Sequence, residues 1–407
     1  MYKDKSVRFL AGALWVGFGW GGYGQTLVSE LKPGSILRVG ADDLAVLERQ
    51  ELRNDLPCDV SQVKPELDWD FNFHAGFHGS IPMRHLVGEG NDLTILFRVI
   101  PEDHTGDPLY MFQRIHVPPI EKAGKGEKTF VGMFTLGEGK YHVDWLMRDQ
   151  RGRVCAAFWD LEARLNSKDT QVREWVPKAL VQPVVPLFTE EPAILGSKSG
   201  LPHVSIIVNF APPDHSAVKL EDRDVENLVT ILRRIGSDPR IQSSIIACSL
   251  ETQKIFYRED ANTIDMPALG QALKSLKFGL VDAKRLASGV GPGEFAGDLI
   301  GEHLKIEKPD ALIVLGHKEA AGAKVSRQSL DSLENPGTPV FYFSYSSEQL
   351  PAVTQDPISS IIKKLRGLEY RLDRPRDLFN AWSEAILRIE KTKQNTQTSR
   401  AMKEDTR

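Results

Sequence analysis

"VSIIVNFAPPDHS", residues 204–216, is a run of apolar and β-branched residues that stops abruptly at Ala-Pro-Pro. An unbroken apolar run of this length, bounded by turn residues, reads as a strand buried on both faces of a sheet. In open α/β folds, ligands sit in the loop just past the carboxyl end of such a strand. The segments downstream support that class. "DRDVENLVTILRRIGSDP" is an amphipathic helix with Val225, Leu228, Val229 and Leu232 on one face, Asp222 or Asp224 as its cap, and Gly236 just past its end. "QSSIIACSL" and "KIFYRED" are strands joined by "ETQ", too short for a parallel crossover, so they form a hairpin.

The remaining order is helices at "MPALGQALKSL" and "GEFAGDLIGEHL", then strands at "DALIVLG" and "PVFYFSYS". A helix at "ISSIIKKLRG", a short strand at "LEYRLD" and a closing helix at "PRDLFNAWSEAILRIEK" complete it. This succession, from residue 203 to about residue 390, resembles the von Willebrand factor A (vWA) domain, an open sheet with one antiparallel edge strand. The ending "GLEYRLDRPRDLFNAWSEAILRI" looks like that family's last strand and helix.

The resemblance implies where function belongs. In vWA domains a metal-dependent adhesion site lies at the sheet top, with Asp-x-Ser-x-Ser after the first strand, a Thr in a later loop and an Asp after the fourth strand. These oxygen ligands hold Mg²⁺. Here the first motif aligns to Asn209, Ala211 and Pro213, so only an uncharged amide oxygen survives. Ser288 of "ASGVGPG" stands for the Thr, and Gly316 with His317 stands where the Asp belongs. The expectation is a degenerate site with no metal and no cofactor. Asn209, Pro213, Asp214, His215, Ser288 and His317 are the candidate contact residues of the sheet-top loops. An alternative places a metal-binding or hydrolytic crevice at Asp214, His215 and His317. No Gly-x-Ser-x-Gly, Walker loop or His-Glu-x-x-His occurs, and Pro292 removes an amide from the glycine-rich "GVGPGEFAG", so no enzymatic activity is expected.

The first half has another character. Between residues 62 and 165, short aromatic and β-branched runs alternate with turns such as Gly-Glu-Gly-Asn and Asp-Gln-Arg-Gly, which predicts an antiparallel β-sandwich. "LGEGKYHVDWLMRDQRGRVC" resembles the tyrosine corner of immunoglobulin-like domains, with Tyr141 hydrogen-bonding back to the chain. Val143, Trp145 and Met147 share its strand face, while His142, Asp144, Leu146 and Arg148 take the other. His74 and His78 have the spacing to project from one face, and read as marking an irregular exposed strand more than a metal site.

At the start, Lys3, Lys5 and Arg8 precede an apolar stretch at 9–20 and a Gly-Tyr-Gly, the layout of a secretory signal peptide. That stretch falls short of the roughly 20 residues that span a bilayer. The predicted organisation is a signal at 1–24, a helical or irregular segment at 25–61 and an Ig-like sandwich at 62–165. A proline-containing linker at 166–200, a vWA-like domain at 201–390 and a disordered tail at 391–407 complete the chain. Within 25–61, Leu44, Leu47 and Leu52 form the apolar stripe of a helix over 41–53. Cys248 reads as a buried small hydrophobe, whereas Cys58 and Cys155 are free to pair or not. A net charge of −4 over 407 residues, with 26% charged residues of mixed sign, gives no footprint for nucleic acid. The expected role is an exported, periplasmic or secreted, non-enzymatic protein that binds another protein, with no membrane contact beyond its leader.

Overall fold

The computed structural model describes residues 25–28, 41–103, 108–122, 124–173, 175–189, 200–212, 220–260, 264–276, 291–318, 325–345 and 356–404. The expected signal peptide lies outside them. No helix among the described residues is long and apolar enough to cross a membrane.

The N-terminal half forms two antiparallel sheets. One comprises β1 (Gln25–Val28), β4 (Asn91–Pro101), β5 (Leu109–Val117), β7 (Gly139–Arg148) and β8 (Val154–Ala163), in the order β1-β5-β4-β7-β8. The other comprises β2 (Asp59–Leu67), β3 (Phe73–Pro82), β6 (Glu127–Leu136) and β9 (Val181–Pro183), in the order β2-β3-β6-β9. Alternation drives the pairing: Tyr141, Val143, Trp145 and Met147 point into a shared core with Phe77, Phe97 and Phe134. Phe77 meets Phe97 and Trp145 edge-on at 5.4 and 5.5 Å between ring centroids, an arrangement aromatic pairs favour. Tyr141 donates its hydroxyl to Gly137 O at 2.7 Å. On the outer face, α1 (Ala41–Arg49) buries Val46 and Leu47 against Leu146. A disulfide joins Cys58 to Cys155 and closes a loop of sequence separation 97.

Four details depart from expectation. The helix ends at Arg49, the chain turns through a left-handed Gln50 (φ 51°), and Leu52 is 78% exposed instead of joining the stripe. Strands β1 and β2 draw part of the 25–61 segment into the sheets, and β9 does the same for the proline-rich linker. His74 and His78 lie on a ten-residue strand that pairs β6 without a break, although its register with β2 shifts opposite Gly76 and His74.

The C-terminal half is a six-stranded sheet in the order β12-β11-β10-β13-β14-β15: β10 (His203–Asn209), β11 (Gln242–Ser249), β12 (Lys254–Glu259), β13 (Ala311–His317), β14 (Val340–Tyr345) and β15 (Leu368–Leu372). All pairings are parallel except that of β12 with β11, the expected hairpin. The opening stretch is thus a central strand, and residues 204–208 are buried because helices cover both faces. On one face pack α2 (Asp222–Gly236), α3 (Met266–Lys274) and α7 (Pro375–Glu404). On the other pack α4 (Pro292–Ile306) and α6 (Pro357–Lys364), with the short α5 (Arg327–Ser332) beside them. The N-cap of α2 is Glu221, whose side chain makes no capping bond, rather than Asp222 or Asp224. The tail expected to be disordered continues α7 to Glu404. Its helix is tied back where Lys393 Nζ reaches Leu201 O at 2.6 Å and Asp310 Oδ2 at 3.1 Å.

The two halves share a core. The turn between β2 and β3 inserts Trp69 and Phe71 into the apolar cluster beneath α2 and α7, where Trp69 meets Tyr345 and Phe71 meets Phe379, each at 5.6 Å. Arg234 of α2 stacks over both Phe71 and Trp175, at 5.1 and 4.2 Å.

Candidate functional site

Register places Asn209 at the end of β10 beside Gly316 on β13, so the structure brings Asn209 and His317 onto adjacent strand ends. Both are buried. Asn209 is 1% exposed, and its Oδ1 accepts the Leu250 N–H at 3.0 Å. Ala211 is buried and offers no side-chain oxygen. At Gly316 there is no room for the aspartate a vWA site would need: a Cβ there would lie 2.9 Å from Asn209 Cβ and 3.0 Å from its carbonyl oxygen. Pro213, Asp214, His215 and Ser288 lie outside the described residues.

His317 is 2% exposed, with its ring edge-on to Tyr345 at 4.6 Å. Its Nε2 is 3.6 Å from Asp224 Oδ1, beyond hydrogen-bond length, and neither ring nitrogen has a hydrogen-bond partner. Tyr345 accepts a hydrogen bond from the Asn227 amide, and burial pushes its phenol up to about 12. It is therefore a neutral hydroxyl at any physiological pH.

A second constellation lies in the turn that enters this seam. Asp68, Asp70 and His74 bring one ligand-capable atom each to within 4.8 Å of one another. His74 Nε2 is 3.0 Å from Asp70 Oδ2, and Nδ1 is 3.8 Å from Asp68 Oδ2. Local backbone bonds set this geometry. Asp68 N–H donates to Asn72 O, Phe71 N–H donates to Asp68 O, and Phe71 adopts a left-handed φ of 65° to close the turn. Asn72 donates its backbone N–H to Asp70 Oδ1 and its amide to Asp70 Oδ2, while its own Oδ1 accepts from Trp175 and Val176 N–H.

The electrostatics follow from burial against charge. Burial opposes the His74 imidazolium, but the hydrogen bond to Asp70 and the charges of Asp70 and Asp68 outweigh it, leaving its pKa above the usual value. Asp70 is held below the carboxylate range by His74 and Asn72 despite burial, whereas burial pushes Asp68 up. Across the seam, burial and the charges of Asp222 and Asp68 raise Glu226 on α2. Spacing alone pairs His74 with His78, but the strand leaves His78 exposed and apart from the acids. The informative pattern is Asp-x-Asp-x-x-x-His in "DWDFNFH", where a turn folds the acids back onto the strand's first histidine.

No family model matches the chain, and no curated protein matches it. Among solved structures, a Northeast Structural Genomics Consortium target aligns at 14% identity over 28% of this chain and 95% of its own, with a TM-score of 0.17. The Listeria innocua β-glucosidase in complex with glucose aligns at 9% identity over 27% of this chain, which covers 16% of that enzyme, with a TM-score of 0.17. The Bacteroides uniformis β-glucuronidase aligns at 10% identity over 78% of this chain, which covers 45% of that enzyme, with a TM-score of 0.19. Likeness this slight defines neither fold nor activity.

Proposed function

We propose that this chain is an exported binding or scaffold protein, with an immunoglobulin-like sandwich joined to a vWA-like unit whose sheet top has lost its cation, and that it recognises another protein. The observation that carries this reading is the fate of the ligand positions. Asn209 is buried and committed to Leu250 N–H, Ala211 lacks an oxygen, and Gly316 cannot accept a larger residue. A hard divalent cation needs several oxygen ligands, carboxylates foremost. The strand order with its antiparallel edge supports the vWA resemblance, and the Tyr141 bond to Gly137 O supports the immunoglobulin one. The Cys58–Cys155 disulfide supports export, since such bonds persist in oxidising compartments.

The test is a thermal melt of the chain in chelator and in millimolar Mg²⁺. Equal melting temperatures are expected, because a ligand that binds only the folded state raises Tm by mass action. A saturable rise would overturn the proposal. A second reading, a metal or hydrolytic crevice at Asp214, His215 and His317, draws on one observation: His317 is buried 3.6 Å from Asp224 with neither ring nitrogen hydrogen-bonded. It requires a Zn²⁺-dependent rise in Tm that His317→Gln abolishes.

A further inference from the structure

We infer that Asp68, Asp70 and His74 form a site for one divalent transition-metal ion at the seam between the sandwich and the α/β unit. The donor set is two carboxylate oxygens and one imidazole nitrogen, which suits Zn²⁺, Mn²⁺ or Fe²⁺ better than the all-oxygen preference of Mg²⁺ or Ca²⁺. With one donor atom taken from each residue, the three atoms lie within 4.8 Å of one another, against the ligand spacing of about 3.3 Å set by metal bonds of roughly 2.0–2.1 Å. Convergence on one ion therefore has His74 offering a single nitrogen, with the side chains closing by roughly 1–2 Å. Three protein ligands leave a position for water or a partner's group.

Two further observations point the same way. Among the described residues, no lysine or arginine lies in ion-pair contact with Asp68 or Asp70; the ion pairs either makes are with His74 alone. Glu226 of the facing helix adds negative charge beside Asp68, while Arg223 acts on Asp68 and Arg234 on Asp70 only from a distance. Outer-shell support is also in place. Asn72 orients both oxygens of Asp70 and is itself fixed by Trp175 and Val176 N–H, the arrangement that steadies ligating carboxylates.

Position gives the ion a role. Trp69, between the two aspartates, packs on Tyr345, and Phe71 packs on Phe379. An ion held by Asp68, Asp70 and His74 fixes the turn that plugs the sandwich into the α/β core, so it clamps the two units together. These residues are separate from the vWA ligand positions, so the site stands independently of the proposed function.

The experiment is calorimetric titration of the full chain with ZnCl₂, MnCl₂ and MgCl₂ alone, repeated on His74→Ala and Asp70→Asn, with His78→Ala as control. The expected result is one Zn²⁺ per chain, an affinity at least tenfold lower in His74→Ala and Asp70→Asn, full affinity in His78→Ala, and no saturable Mg²⁺ binding. Absence of saturable binding by both Zn²⁺ and Mn²⁺ overturns the inference. So does a Zn²⁺ site of unchanged affinity in His74→Ala. Should the variants not fold, ¹⁵N-histidine spectra of the wild type decide: Zn²⁺ must move the ring signals of His74, and saturation without that shift refutes the assignment.

Discussion

Asp238 joins three elements of the α/β unit, and removing its carboxylate gives a sharp test of how that unit is held. It is 2% exposed and stands between α2 and β11. Oδ1 accepts from Arg240 N–H at 3.0 Å and Nε at 2.9 Å; Oδ2 accepts from Arg240 Nη2 at 2.7 Å and from Trp382 Nε1 of α7 at 2.8 Å. In Asp238→Ala the buried indole N–H loses its acceptor, costing about 1–3 kcal/mol. The backbone bond adds about 1 kcal/mol. The half-exposed Arg240 pair adds up to about 1 kcal/mol. The expected loss is about 2–5 kcal/mol, which lowers the unit's Tm by roughly 10 °C at ~2–4 °C per kcal/mol. Asp238→Asn retains an acceptor for Trp382 and is expected to lose about half as much. Urea unfolding followed by far-UV dichroism measures both.

The same carboxylate predicts a pH dependence. Burial raises its pKa, but the hydrogen bonds from Arg240 and Trp382 more than offset this, so the folded value lies below the ordinary one. Its contribution is therefore complete above the unfolded value of about 3.9 and disappears as pH falls through the folded one. Between pH 5 and pH 3, the wild type should lose stability that Asp238→Asn does not. A loss under about 1 kcal/mol in Asp238→Ala, or identical acid sensitivity in wild type and Asn variant, would disprove this role for the carboxylate.

Three further outcomes are expected. Cys58→Ser removes a cross-link of separation 97 and should destabilise the sandwich by about 2–5 kcal/mol, with reductant producing the same shift in the wild type. Phe71→Ala empties a side chain that is 1% exposed and packed on Phe379 and Arg234; about 3–5 kcal/mol and faster proteolysis at the seam should result. Gly316→Asp places a carboxylate where the vWA resemblance calls for one, yet contact at 2.9 Å with Asn209 Cβ should cost about 1–3 kcal/mol, and no Mg²⁺ response should appear in a melt.

The α/β half is legible in the sequence because its strands are apolar on both faces and its helices carry clean stripes, so periodicity alone separates them. The core parity of Tyr141, Trp145 and Met147 is equally plain, since strand alternation sends them into the core between the sheets while Asp144 and Leu146 take the face that α1 covers. What escapes the sequence depends on tertiary partners. β9 is three residues in a proline-rich stretch, defined only by pairing with β6. The last turns of α7 are polar and lack a stripe, and Lys393 anchors them to Leu201 and Asp310 from far along the chain. Asp68 and Asp70 look like solvated turn residues until the left-handed Phe71 folds them onto His74. Asn209 reads in sequence as a surviving ligand, whereas its oxygen belongs to Leu250 N–H, a partner on the neighbouring strand's end.

Whether cation chemistry has left the sheet top can be asked of the protein without interference from the seam. Calorimetric titration of His74→Ala with Mg²⁺ does so, because the triad of Asp68, Asp70 and His74 is then broken. With Asn209 committed to Leu250 N–H, Ala211 without a side-chain oxygen and Gly316 without a side chain, the proposed function predicts heats of dilution only. A saturable isotherm with one Mg²⁺ per chain would contradict the proposed function.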